Sequence, residues 1–155
     1  MTTYVALRVG GETYAVSVAS VQELVLVQPL THVPTMPACI RGLMNLRGTV
    51  VPVIDLARQL GLGDTPVALQ TCVVIIEALG GGVRSTMGVL ANDVRDVVQI
   101  ASENITPPPA FGSRFPPSYV AGVARLAGEY VLILDLAKIL SAEELLAATA
   151  MAASS

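Results

Sequence analysis

Few residues of this 155-residue chain have the types and spacing that chemistry needs. His32 is the only histidine, with no second His and no Cys or carboxylate cluster beside it in sequence, so a metal site is not expected. Cys39 and Cys72 are too far apart for a metal-ligand spacing and read as small core residues kept reduced in a cytosolic chain. No Ser or Cys lies in a nucleophile-elbow motif. Gly80-Gly81-Gly82 does not precede a Lys-Ser/Thr helix start, so it is no phosphate cradle. Asp55 and Asp135 resemble a paired acid and base only until their surroundings are compared, because each opens the same short motif, Asp-Leu-Ala-Arg/Lys. No catalytic constellation remains, and neither an enzyme nor a bound cofactor is expected. Charged side chains suited to binding are left: Glu23, Arg41 and Arg47, with the amide of Asn45.

The elements that must position these groups are mostly strands. Val5, Leu7 and Val9 alternate with Tyr4, Ala6 and Arg8, Gly10-Gly11 supplies a turn, and Thr13–Val18 alternates again, which predicts a hairpin over 4–18. Ser20 is expected to cap one helical turn through Glu23, ahead of a strand near 24–27. Pro29, Pro34 and Pro37 break the next stretch. Strands are expected at 40–46 and 50–54 around a turn at Arg47-Gly48. Asp55 then caps a helix over 56–60 that Gly61 stops. Further strands are expected at 71–77, 85–91, 120–126 and 130–135, with a Pro-rich loop at 107–117. Ser141-Ala-Glu-Glu144 has capping-box spacing and opens a C-terminal helix whose Leu145, Leu146 and Met151 would pack on the body.

The chain also repeats itself. Thr13–Val27 aligns without a gap on Thr86–Ile100, pairing Val16 with Val89, Val21 with Val94 and Glu23 with Asp96. Ile40–Leu60 aligns on Val120–Leu140, pairing Gly42 with Gly122, Leu46 with Leu126, Gly48 with Gly128 and Asp55 with Asp135. Residues kept in both copies are accounted for by the fold: the glycines by turns or close backbone approach, the two aspartates as helix caps. Residues that differ mark specialisation. Arg41 faces Ala121, Arg47 faces Ala127 and Asn45 faces Arg125, so the first copy carries two arginines and an amide that the second lacks. Glu23 and Arg47 have opposite charge and are placed to pair, although the acid kept in both copies would also suit a helical turn. Arg41 reads equally well as a strand-end charge, and Asn45 as a turn amide.

Composition bounds the class. Apolar residues make up 53% and charged residues 14%, there is no Trp, and net charge is −3 with eight scattered arginines and one lysine, Lys138. Disorder and nucleic-acid binding are both disfavoured. The first residues lack the basic head and apolar run of a signal peptide, and runs such as 73–76 are too short to span a bilayer. About ten short strands in two copies, with few helices, predict a mainly β protein made of two small antiparallel barrels.

Arg41-Gly-Leu-Met-Asn-Leu-Arg-Gly48, followed by Val51-Pro-Val-Ile-Asp-Leu56, closely resembles the signature of the CheW-like chemotaxis coupling family. Val21-Gln-Glu-Leu24, Val33-Pro34, Ile105 before three prolines and Leu132-Ile-Leu-Asp135 agree with it, so the resemblance covers roughly 4–140. It implies two five-stranded antiparallel barrels on a shared apolar core, the central one over about 21–92 and the other over 1–20 plus 93–140, with 141–155 appended. It implies a cytoplasmic adaptor, recruited to receptor arrays at the inner membrane, that joins chemoreceptor signalling tips to the regulatory domain of the histidine kinase CheA. A twitching or surface-sensing chemosensory pathway is the near alternative, and a small-ligand-binding barrel sensor the distant one. In the family, positions matching Val21, Glu23 and Arg47 are associated with coupling; Arg41 and Asn45 join them from the repeat.

Overall fold

The computed structural model describes residues 2–32, 34, 40–80, 83–107, 119–126 and 128–140. Cys39, Ala127, most of the Pro-rich loop and the expected C-terminal helix and tail over 141–155 lie outside them.

Among the described residues, alternating apolar residues and glycine turns give eleven strands, two single-turn α-helices and two 3₁₀ turns. β1 (Thr2–Val9) and β2 (Glu12–Ser17) form the expected hairpin, closed by Gly10 and Gly11 in the left-handed region, as a two-residue hairpin turn requires. β3 (Glu23–Leu26), β4 (Ile40–Leu46) and β5 (Thr49–Asp55) precede α1 (Leu56–Gln59). β6 (Cys72–Gly80), β7 (Val83–Ala91) and β8 (Asp93–Ile100) follow. The two-residue β9 (Ile105–Thr106), β10 (Val120–Leu126), β11 (Glu129–Leu134) and α2 (Leu136–Ile139) complete the described chain.

The expected pair of five-stranded antiparallel barrels is not what forms. There are two open, mixed sheets, one of six strands in the order β8-β1-β2-β11-β10-β9 and one of five in the order β3-β6-β7-β5-β4. Each contains one parallel pair, β2 with β11 and β5 with β7. Among the described residues no ladder joins the outer strands; a single isolated bridge, Thr31 with Leu43, ties the exit of β3 to β4. Proline limits the length of two edge strands. Pro29 follows β3 and Pro107 follows β9, and a residue without an N–H cannot extend a ladder.

Matched through the repeat, the two sheets share one strand order, β3-β6-β7-β5-β4 falling on β8-β1-β2-β11-β10. The match extends to irregularities. A register shift follows Ile40 in β4 and Val120 in β10, and both sit beside the glycines at 42 and 122. A Cβ on Gly42 would lie 2.7 Å from the Thr31 carbonyl oxygen, and one on Gly122 would lie 2.7 Å from Ile105 Cγ2 and 3.1 Å from the Thr106 oxygen. Both glycines therefore admit a neighbouring backbone at close range.

One apolar core joins the sheets. Leu7, Val9 and Val16 from the six-stranded sheet meet Ile54, Met87 and Val89 from the five-stranded sheet, with Leu56, Leu60, Ile139 and Leu140 from the helical turns. Side chains of this size, fully removed from water, contribute roughly 1.5–3 kcal/mol each. Smaller cores sit against each sheet separately, around Met44, Val53, Val73 and Leu90 in one and Ala124, Val131 and Ile133 in the other.

Candidate partner-binding site

The 3₁₀ turn after β2 spans Val18–Ser20 and is capped by Ser17, whose Oγ accepts from the Ala19 N–H at 3.3 Å. The cap is thus Ser17 and not Ser20, because Ser17 is the last extended residue before the turn. Val21 closes the turn, its N–H donating to the Val18 carbonyl at 3.0 Å, and its side chain packs against the shared core. Glu23 opens β3 opposite Ile75, and its repeat partner Asp96 lies in β8, so both acids sit on strands and neither is explained by a helical turn.

Arg47 occupies the tip of the β4–β5 hairpin. Leu46 pairs with Thr49, and the two residues between them, Arg47 with φ 50° and Gly48 with φ 88°, both take the left-handed conformation. Glycine adopts it freely, but an L-residue with a side chain does not: the strain is of order 1–2 kcal/mol. Arg47 is the one non-glycine residue with positive φ among the described residues. Asn45 braces this turn, its Oδ1 accepting from the Gly48 N–H at 2.8 Å.

From that tip the Arg47 guanidinium reaches Glu23 as a two-point ion pair, Nη1 to Oε2 at 2.7 Å and Nη2 to Oε1 at 2.5 Å. The pair spans the two outer strands of the five-stranded sheet. Hydrogen bonding to Arg47 holds the Glu23 carboxyl below the usual glutamate range, and the same bond raises Arg47. The side chains are 68% (Arg47) and 34% (Glu23) exposed, so the pair is screened by water and adds little to stability. Leu24 and Val50, next in sequence to this pair and its turn, are exposed apolar side chains. A strained arginine oriented by its acid is equipped for recognition.

Arg41 stands apart. It is near the opposite end of β4, about 20 Å along the strand from Arg47 at the usual rise. Its Nη1 donates to Asp55 Oδ2 at 2.9 Å and to the Thr65 carbonyl at 2.7 Å. The fully buried Asp55 also caps α1 through the Ala57 N–H at 3.1 Å and accepts from the Thr65 N–H at 2.9 Å and Oγ1 at 2.7 Å. Asp135 caps α2 through the Lys138 N–H at 3.3 Å. Sequence reasoning missed Thr65 and the 61–70 loop that it anchors. The signal was the alternation of Val67 and Leu69 in a segment left unassigned between the 56–60 helix and the 71–77 strand. That loop and the exit of β3 enclose an open cleft of about 890 Å³ lined by Leu26, Pro29, Leu30, Arg41, Val67 and Leu69.

The chemistry of the remaining groups is quiet. His32 is exposed in the segment after β3. Cys72 is buried, and desolvation pushes its thiol up to about 11. Among the described residues no three His, Cys, Asp or Glu side chains gather as metal ligands. No helix among them is long and apolar enough to cross a membrane.

The family profile described as CheW-like domain matches residues 3–144. The chain is 29% identical over 140 residues to chemotaxis protein CheW of Rhizobium meliloti, covering 90% of this chain and 88% of that protein. It is 30% identical over 142 residues to chemotaxis protein CheW of Klebsiella aerogenes, covering 92% and 83%. The crystal structure of scaffolding protein TtCheW from Thermoanaerobacter tengcongensis superposes with a TM-score of 0.79 at 26% identity, over 92% of this chain and 90% of that one.

Proposed function

Because the chain belongs to the CheW-like family, whose members are non-catalytic adaptors of chemotaxis, we propose that it joins chemoreceptor signalling tips to the histidine kinase CheA. In this reading it is held at receptor arrays by its partners. The observation that carries the residue assignment is the Arg47–Glu23 pair, mounted on a strained turn in the copy whose counterpart has alanine. Glycine would serve folding about as well at that turn, so binding is what keeps an arginine there.

Val21, Glu23 and Arg47 form the contact surface, and Asn45 fixes the turn that aims the arginine. Coupling acts through association: two partners held on one rigid body change their relative packing, and the adaptor performs no chemical step. The test is a titration of the purified chain against the CheA regulatory domain and, separately, against a receptor signalling-tip fragment. Saturable binding of both supports the reading. Failure to bind either one at high micromolar concentration defeats it.

A further inference from the structure

Arg41 differs between the two copies as Arg47 does, yet its surroundings point to another role. Its side chain is 20% exposed and its Nη1 is committed to Asp55 and the Thr65 carbonyl. Asp55 in turn takes both the N–H and the hydroxyl of Thr65. The other end of the same loop is tied as firmly. Thr71 Oγ1 accepts from the Ala68 N–H at 2.8 Å and donates to the Pro66 carbonyl at 3.0 Å, while the Thr71 carbonyl accepts from the Val27 N–H at 2.9 Å. Between these ties Val67 is 56% and Leu69 95% exposed, facing the cleft that Leu26 borders. A loop anchored by a buried charge network, with its apolar residues turned outward, is a built surface and not a slack connection.

We infer that Arg41 is a positioning residue: acting through Asp55 and Thr65, it fixes the 61–70 loop and so the Val67 and Leu69 wall of the cleft. Asp135 has alanine at 121 in the place of this arginine, and α2 is followed by no described loop that returns to it. The duplication thus separates the cap, common to both copies, from the arginine of the latch, carried by one. The role of the wall in partner binding rests on the coupling function proposed above; the latch itself does not.

Hydrogen exchange read by mass spectrometry tests the latch on the whole chain. In Arg41→Ala the peptide spanning Thr65 exchanges about ten- to hundred-fold faster, the scale of losing hydrogen bonds to a charged group, while peptides of β6 and β7 are unchanged. Arg41→Lys restores part of the protection, and Thr65→Val loosens the same peptide without touching Arg41. Unchanged exchange at Thr65, or a rise spread evenly over the whole sheet, overturns the inference. Partner titrations complete the test. Arg41→Ala weakens the partner that Leu69→Ser weakens and spares the one it spares; loss of a partner that Leu69→Ser retains makes Arg41 a contact and overturns the positioning role. If the wild-type chain binds neither partner, the coupling function fails while the exchange experiment still decides the latch.

Discussion

Replacing Arg47 with glycine separates binding from folding more cleanly than removing the charge with alanine. Arg47 has φ 50° at the tip of a two-residue hairpin, and glycine there relieves roughly 1–2 kcal/mol of backbone strain. Against that stand the greater freedom of glycine in the unfolded chain, about 0.5–1 kcal/mol, and the loss of a solvent-exposed ion pair with Glu23 that stabilises the fold only weakly. These contributions nearly cancel. Arg47→Gly is therefore expected to melt within about 4 °C of wild type, the shift that roughly 1 kcal/mol produces in a domain of this size. Arg47→Ala keeps the strain, loses the pair and melts lower than Arg47→Gly. Partner affinity follows the guanidinium instead: both variants bind at least one partner about tenfold or more weakly, as expected for a central charged contact. Calorimetric melting and isothermal titration on the same three proteins decide it. Wild-type affinity in Arg47→Gly removes Arg47 from the contact surface. A Tm drop of 10 °C or more in that variant refutes the strain argument.

Glu23 is expected to titrate below the ordinary glutamate range in the wild type and to return toward it in Arg47→Gly, read by NMR of the side-chain carboxyl. Since its folded value is depressed, the stabilisation that the pair supplies is present above the unfolded value and lost as pH falls through the folded one, so the two proteins converge in acid. Asp55→Ala strands Arg41 and both donors of Thr65 in a buried site and is expected to cost about 3–5 kcal/mol in urea unfolding. Asp135→Ala removes a helix cap and costs about 0.5–2 kcal/mol; equal losses would contradict the asymmetry of the copies. Cys72, with its thiol pushed up to about 11, stays unlabelled by iodoacetamide at pH 8 until denaturant is added, as peptide mapping would report.

What could be read from the amino acids was local or periodic. The Gly10-Gly11 hairpin, the strands around Arg47-Gly48 and the Asp55 cap follow from turn chemistry and alternation, and the structure shows each of them. The pairing of Glu23 with Arg47 was legible as a charge match between two segments that the fold had to bring together. Sheet closure was not legible, because the parallel pairs β2–β11 and β5–β7 join strands far apart in sequence. The prolines that end β3 and β9 were seen only as loop punctuation. Arg41 was grouped with Arg47 because both differ between copies; its actual partners, Asp55 and Thr65, lie 14 and 24 residues away, beyond the reach of any local pattern. The left-handed backbone of Arg47 was hidden for a simpler reason, since Arg-Gly marks a turn without announcing the left-handed type that Asn-Gly would.

The central claim is that one chain holds two partners at once. Membranes carrying chemoreceptors, mixed with CheA, test it by co-sedimentation. CheA is expected to pellet with the membranes when the chain is present, and to do so much less when the chain carries Arg47→Glu. Equal pelleting of CheA with and without the chain, or binding of the two partners in competition with each other, would contradict the account.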